Sequence, residues 1–218
     1  MQRNPIRTAV LIGLALATPA CAQKPKDSKN PAPMPALATD ALAGQIVVVL
    51  PLTMVVSDPR IPGGAGPEAR TRTLRWADSL LGDMLLERAP EAQWVLPPAL
   101  RNTAKRAVGL LPSPDQMGQS VMRSPNLTTT PDPLRGYLRQ LLALSDGARY
   151  AFIPAALYLT PGTADSLTVQ LSAVLTDGRL GRVLWRTLAV GKGETADQAF
   201  RAAIATIIVT GVPTPPSP

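Results

Sequence analysis

Asp78, Asp83 and Glu87 are the carboxylates whose spacing could do chemistry. They fall in one helical stretch, and Asp83 and Glu87, four residues apart, are neighbours on its surface. Such a pair can exchange a proton with a substrate or hold a hard cation. A solvated helix face places acids in the same way, and that is the commoner cause. The chain has no histidine and a single cysteine. It therefore has no internal disulfide, no Cys/His zinc site and no Ser-His or Cys-His nucleophile. An enzyme built on this chain would have to work with carboxylates, hydroxyls and lysines.

Cys21 offers a different chemistry. Arg3 and Arg7 precede an apolar run over Ala9–Ala17 that is too short to span a bilayer, so residues 1–20 read as a secretory signal. The stretch around Cys21 resembles a bacterial lipobox with Ala20 before the cysteine, which implies cleavage there and lipidation of the thiol. Thr18 and Pro19 depart from that pattern. Cleavage after Ala22 is the other reading, and it would leave a soluble periplasmic chain. Residues 21–44 are rich in Pro, Ala, Lys, Asp and Ser without any period, the composition of an extended tether. Ala22 is not the aspartate that resembles an inner-membrane retention signal. The expected address is the periplasmic face of the outer membrane.

The third group is basic and apolar. With 22 basic and 15 acidic residues the chain carries +7, which permits anionic partners without demanding any. The export signal and the 4% aromatic content disfavour nucleic acid. Residues 111–131 hold four prolines and no period, and the stretch is long for a plain connector. Its Met117, Val121, Met122 and Leu127 either tuck against the domain or meet a partner, with Arg101, Lys105, Arg106 and Arg123 as polar rim. The candidate binding residues are thus Arg101, Lys105, Arg106, Met117, Met122 and Arg123. No catalytic residue, metal or cofactor is expected. The expected partners are the membrane, through the lipid anchor, and an envelope protein or cell-wall polymer.

These groups must be positioned by an α/β (α+β) domain, expected over residues 45–210 with a proline-rich tail at 211–218. Its clearest element is a hairpin over Ser166–Gly193. Leu167, Val169, Leu171, Ala173 and Leu175 point one way and Thr168, Gln170 and Ser172 the other, as in a strand buried on one face. Asp177-Gly178 and Gly181 make the turn, and Arg182–Val190 returns with Trp185. A helix over Thr195–Val209, opened by a capping box at Thr195 and Gln198 and striped by Phe200, Ala203, Ile204 and Ile207, can cover the apolar face.

Upstream, Gln45–Val56 is almost wholly apolar, as in a strand buried on both faces, with an exit at Pro51. The glycine-rich loop that follows has no GKS or GKT and no GxGxxG spacing, so it is read as a connector. Ala69–Ala89 has helical spacing through Leu74, Ala77, Leu81, Met84 and Leu85. Gln93–Leu96 is a short strand, and Pro98–Leu110 a helix with Leu100, Ala104, Ala107 and Val108 inward. A third helix, capped by Asp132 with Pro133 first, carries Leu134, Leu138, Leu141 and Leu142. Ala148–Leu159 is a strand. The order β-α-β-α-loop-α-β-β-β-α makes a single small domain with a mixed sheet of about five strands and a C-terminal hairpin packed by helices. Trp76, Trp94 and Trp185 are read as core or sheet packing.

Three stretches together resemble a group of bacterial envelope proteins: IVVVLPL at residues 46–52, LLALSDGARYAFIPAALYL at 141–159 and LTVQLSAVLTDGRLGRVLW at 167–185. The group comprises the amino-terminal domain of the Tol–Pal propeller protein, the curli secretion lipoprotein, and lipoprotein activators of peptidoglycan synthases. The resemblance implies a small domain used for docking to other proteins rather than for chemistry. The long loop at 111–131 departs from the group, and the chain has neither propeller repeats nor pore-forming hairpins. The function expected is a membrane-tethered, non-catalytic binding or assembly module of the cell envelope. The alternative is a histidine-free envelope hydrolase or glycan-modifying enzyme using carboxylates.

Overall fold

A proline cannot donate to a sheet ladder, and Pro51 accordingly divides the apolar run of residues 45–56. In the computed structural model, which describes residues 36–61, 66–163 and 165–208, the run becomes two short strands, β1 (Ile46–Val49) and β2 (Val55–Ser57). Both lie parallel to the long strand β4 (Tyr150–Pro161), with Val48 beside Ala151 and Val56 beside Tyr158. β3 (Gln93–Val95) flanks β1 in parallel. On the other side β5 (Leu167–Asp177) and β6 (Arg182–Gly193) run antiparallel. The order is β3-β1-β4-β5-β6 with β2 also on β4, a mixed sheet of six strands. The strand beyond the expected five comes from the break at Pro51.

The period-2 pattern sorts β5 between two cores. Val169, Leu171, Ala173 and Leu175 enter one and Val174 the other. The first core is roofed by α1 (Pro67–Arg88) and α4 (Ala196–Ile207), through Leu81, Leu85, Phe200 and Ile204. Trp94, Phe152 and Trp185 cross this face, with ring centroids 6.4 and 6.3 Å apart, and Trp76 meets Phe200 at 5.4 Å. The second core takes Leu100 from α2 (Pro97–Arg106) and Leu134, Leu138, Leu141 and Leu142 from α3 (Leu134–Ala143). Thr195 caps α4 by accepting the Gln198 N–H at 3.2 Å. That helix lies so close to β6 that a Cβ on Gly191 would collide with the Ala199 carbonyl oxygen, so only glycine allows the approach.

Several boundaries differ from those expected. Residues 37–44 fold with the domain rather than with the tether: Leu37 N–H donates to the Ile207 carbonyl at 2.8 Å, and Leu37 and Leu42 are buried. α2 stops at Arg106, short of Leu110, so Val108 points outward and not into the core. Asp132 does not cap α3; its carboxylate pairs with Arg135 at 2.8 Å. The signal stretch, Cys21, residues 22–35 of the tether and the tail at 211–218 lie outside the described residues. No helix among the described residues is long and apolar enough to cross a membrane.

Candidate binding surface

The carboxylates of α1 do not converge. Asp78 turns inward, with the residue only 7% exposed, whereas Asp83 and Glu87 are exposed. One Asp78 oxygen accepts the Leu52 N–H at 2.7 Å, and the other accepts from Arg101 Nη2 at 2.7 Å. Arg101 also grips Asp115, through Nη2 at 2.7 Å and Nε at 3.0 Å. One guanidinium thereby ties α1 and α2 to the 3-10 turn Pro114–Gln116. The two acids respond in opposite senses. Burial lifts the Asp78 carboxyl above the usual range despite Leu52 and Arg101, while Arg101 holds that of Asp115 below it. The arrangement is a staple rather than an acid–base pair. Among the described residues no group of three or more His, Cys, Asp or Glu could hold a metal ion.

The segment at 111–131 is pegged down rather than presented. Met117 and Met122 are 2% and 0% exposed and pack in the second core with Leu138 and Leu141. The Gln119 side chain, 0% exposed, donates through Nε2 to the carbonyls of Pro51 and Pro114, both at 2.9 Å. From β6, Arg186 donates to the carbonyls of Met122 and Leu127. Thr129 bridges Arg182. Met117 and Met122 are therefore core residues and not partner contacts, because two apolar side chains in a long loop gain more by completing an open core than by remaining in water. Arg101, two-thirds engaged in its staple, is likewise not free to rim a contact.

What remains on the surface is the end of α2. Lys105 and Arg106 are exposed and form no ion pair among the described residues. After them the chain turns through Gly109, whose φ of 84° needs a glycine. The turn puts Val108 at 85% and Leu110 at 67% exposure. Val121 is 41% exposed in the 3-10 turn Gln119–Arg123, beside the exposed Arg123, whose Nη1 reaches only the Ser120 carbonyl. Helical spacing alone hid Val108 and Leu110. The signal that could have found them is Gly109, which stops the helix one turn before its apolar period ends. A shallow recess of ≈ 460 Å³ between Leu52, Leu74, Arg75 and Arg101 has one acid in its wall, Asp115, already held by Arg101.

No family model and no curated protein matches the chain. Solved structures with some likeness include Escherichia coli LpoB, 16% identical, covering 88% of each chain at a TM-score of 0.38. Lipoprotein GNA1162 of Neisseria meningitidis is 18% identical, covering 69% of this chain and 81% of that one at 0.36. PelC of Paraburkholderia phytofirmans, a dodecamer, is 15% identical, covering 80% and 93% at 0.37. At identities and scores this low, no residue role passes from these structures to this chain.

Proposed function

We propose that the chain is a membrane-tethered, non-catalytic binding or assembly module of the bacterial cell envelope. The observation that carries this reading is the exposed pair Val108 and Leu110, flanked by Lys105 and Arg106 on an element stapled to the domain by Arg101. Burying a valine and a leucine against a partner contributes roughly 1.5–3 kcal/mol each, and the flanking cations orient the approach. The rigid footing matters because little entropy is then lost on docking. The side chains that might have served catalysis are engaged in structural bonds, Asp78 and Asp115 to Arg101 and Asp177 to Arg149.

The tether rests on the sequence. A signal followed by Cys21 and a proline-rich segment suits a domain held away from a membrane by a lipidated cysteine. Acyl chains contribute about 0.8 kcal/mol per buried methylene, so a multiply acylated cysteine holds its protein on the bilayer effectively permanently. Membrane fractionation tests this. The wild type is expected in the membrane fraction and Cys21→Ser in the soluble periplasm. Soluble wild type whose first residue is Gln23 contradicts the anchor.

A further inference from the structure

The strand β6 is one of the two outer strands of the sheet and spans 12 residues, whereas the other, β3, spans 3. On its inner side it pairs with β5 from Arg182 opposite Asp177 to Gly193 opposite Leu167. On its outer side, among the described residues, only the start is covered. Thr129 bridges Arg182, and Val183 N–H donates to the Thr128 carbonyl at 2.9 Å. Residues 184–193 then present backbone donors and acceptors with no strand beside them. An edge of that length is a template for another chain unless something blunts it.

The side chains along the open stretch define what fits. Leu184, Leu188 and Val190 are 49%, 48% and 43% exposed. The charges are all of one sign: Arg182, Arg186 and Lys192, with no acidic residue from 182 to 193. The Arg186 guanidinium is bonded to carbonyls alone and meets no carboxylate among the described residues. A like-charged strand is repelled by such an edge and an acidic one is drawn to it.

We propose that β6 is a docking edge for an extended acidic segment of a partner protein, which adds to the sheet as a further strand. Main-chain hydrogen bonds along residues 184–193 supply the affinity. Apolar side chains of the segment lie beside Leu188 and Val190, and its acids answer the positive charges of β6. A second copy of this chain is a poor occupant. Antiparallel self-pairing about Thr187 sets Arg182 against Lys192, a like-charge contact that destabilises a strand pair. The β3 edge of a second copy is too short to match. The proposal stands apart from the Val108–Leu110 surface, and the failure of either leaves the other intact.

The test uses the full chain in uncharged detergent and two synthetic peptides of about ten residues, one alternating valine with glutamate and one alternating valine with lysine. Amide hydrogen exchange is read residue by residue. The glutamate peptide is expected to slow exchange within residues 184–193 by about tenfold or more, while the lysine peptide leaves it unchanged. Leu188→Glu with Val190→Glu, shown folded by circular dichroism, is expected to lose about tenfold in affinity for the glutamate peptide. Three results overturn the proposal. One is no protection with the glutamate peptide at millimolar concentration, and another is equal protection by both peptides. The third is β6 amides already protected without peptide in a chain that sediments as a dimer, which makes a second copy the occupant.

Discussion

At the scale of single residues, Asp177 shows how a charge becomes part of a fold. It is 1% exposed at the end of β5, yet it is ionised, because its carboxylate accepts the N–H groups of Arg179 at 2.9 Å and Leu180 at 3.1 Å and the Arg149 guanidinium at 2.8 Å. Burial alone would raise its pKa, but the Leu180, Arg149 and Arg179 bonds outweigh it and hold the carboxyl below the usual range. A lowered native pKa contributes stability above the unfolded value of about 3.9, and that contribution fades as pH falls through the native value. Asp115 behaves alike, and Asp78, raised by burial, has the opposite sign. Asp177→Ala is expected to cost about 2–4 kcal/mol in urea denaturation at neutral pH, because it strands buried donors, and to lose less below about pH 3. An unchanged difference between variant and wild type across that range contradicts the account. The sequence pointed to Asp177 as a turn residue, but not to its bond with Arg149, since nothing in local spacing sets two residues 28 apart side by side.

At the scale of elements, the hairpin and its covering helix are the part most legible in sequence. Strict alternation in β5, the Asp-Gly turn and the Thr195 cap are local signals that tertiary packing merely completes. Trp185 is part-buried against Phe152, as a tryptophan on a covered sheet face should be. Trp185→Ala is expected to cost about 3 kcal/mol by thermal or chemical denaturation, and a loss under about 1 kcal/mol contradicts its packing role. Gly191→Ala tests the closeness of α4 to β6. The added methyl meets helix backbone rather than a side chain that could swing away, so a cost of about 3 kcal/mol is expected. An alanine variant as stable as the wild type shows that α4 sits further out. The segment at 111–131 was the least legible. Its apolar residues read equally as buried or as displayed, because a loop has no period to orient them. Long-range pegs from Gln119 and Arg186 settle the matter, and these lie 68 and 64 residues from the partners they hold.

At the scale of the molecule, a three-layer domain with a sheet between two helical layers leaves little polar machinery unspent. The described domain uses its inward acids to fasten α1, α2 and the β5–β6 turn, and it displays apolar groups in two places, Val108–Leu110 and β6. Composition excluded histidine and paired-cysteine chemistry at the outset. It did not say where a partner would dock, because exposure at Val108 depends on the residue at which α2 stops. The most direct test of the binding reading places a photocrosslinking residue at position 108 of the full chain in its own envelope, with the exposed Gln140 of α3 as a control position. The account predicts one discrete crosslinked protein from position 108, none from position 140, and loss of the product when Leu110→Asp is added. No product from position 108, or the same products from both positions, contradicts it.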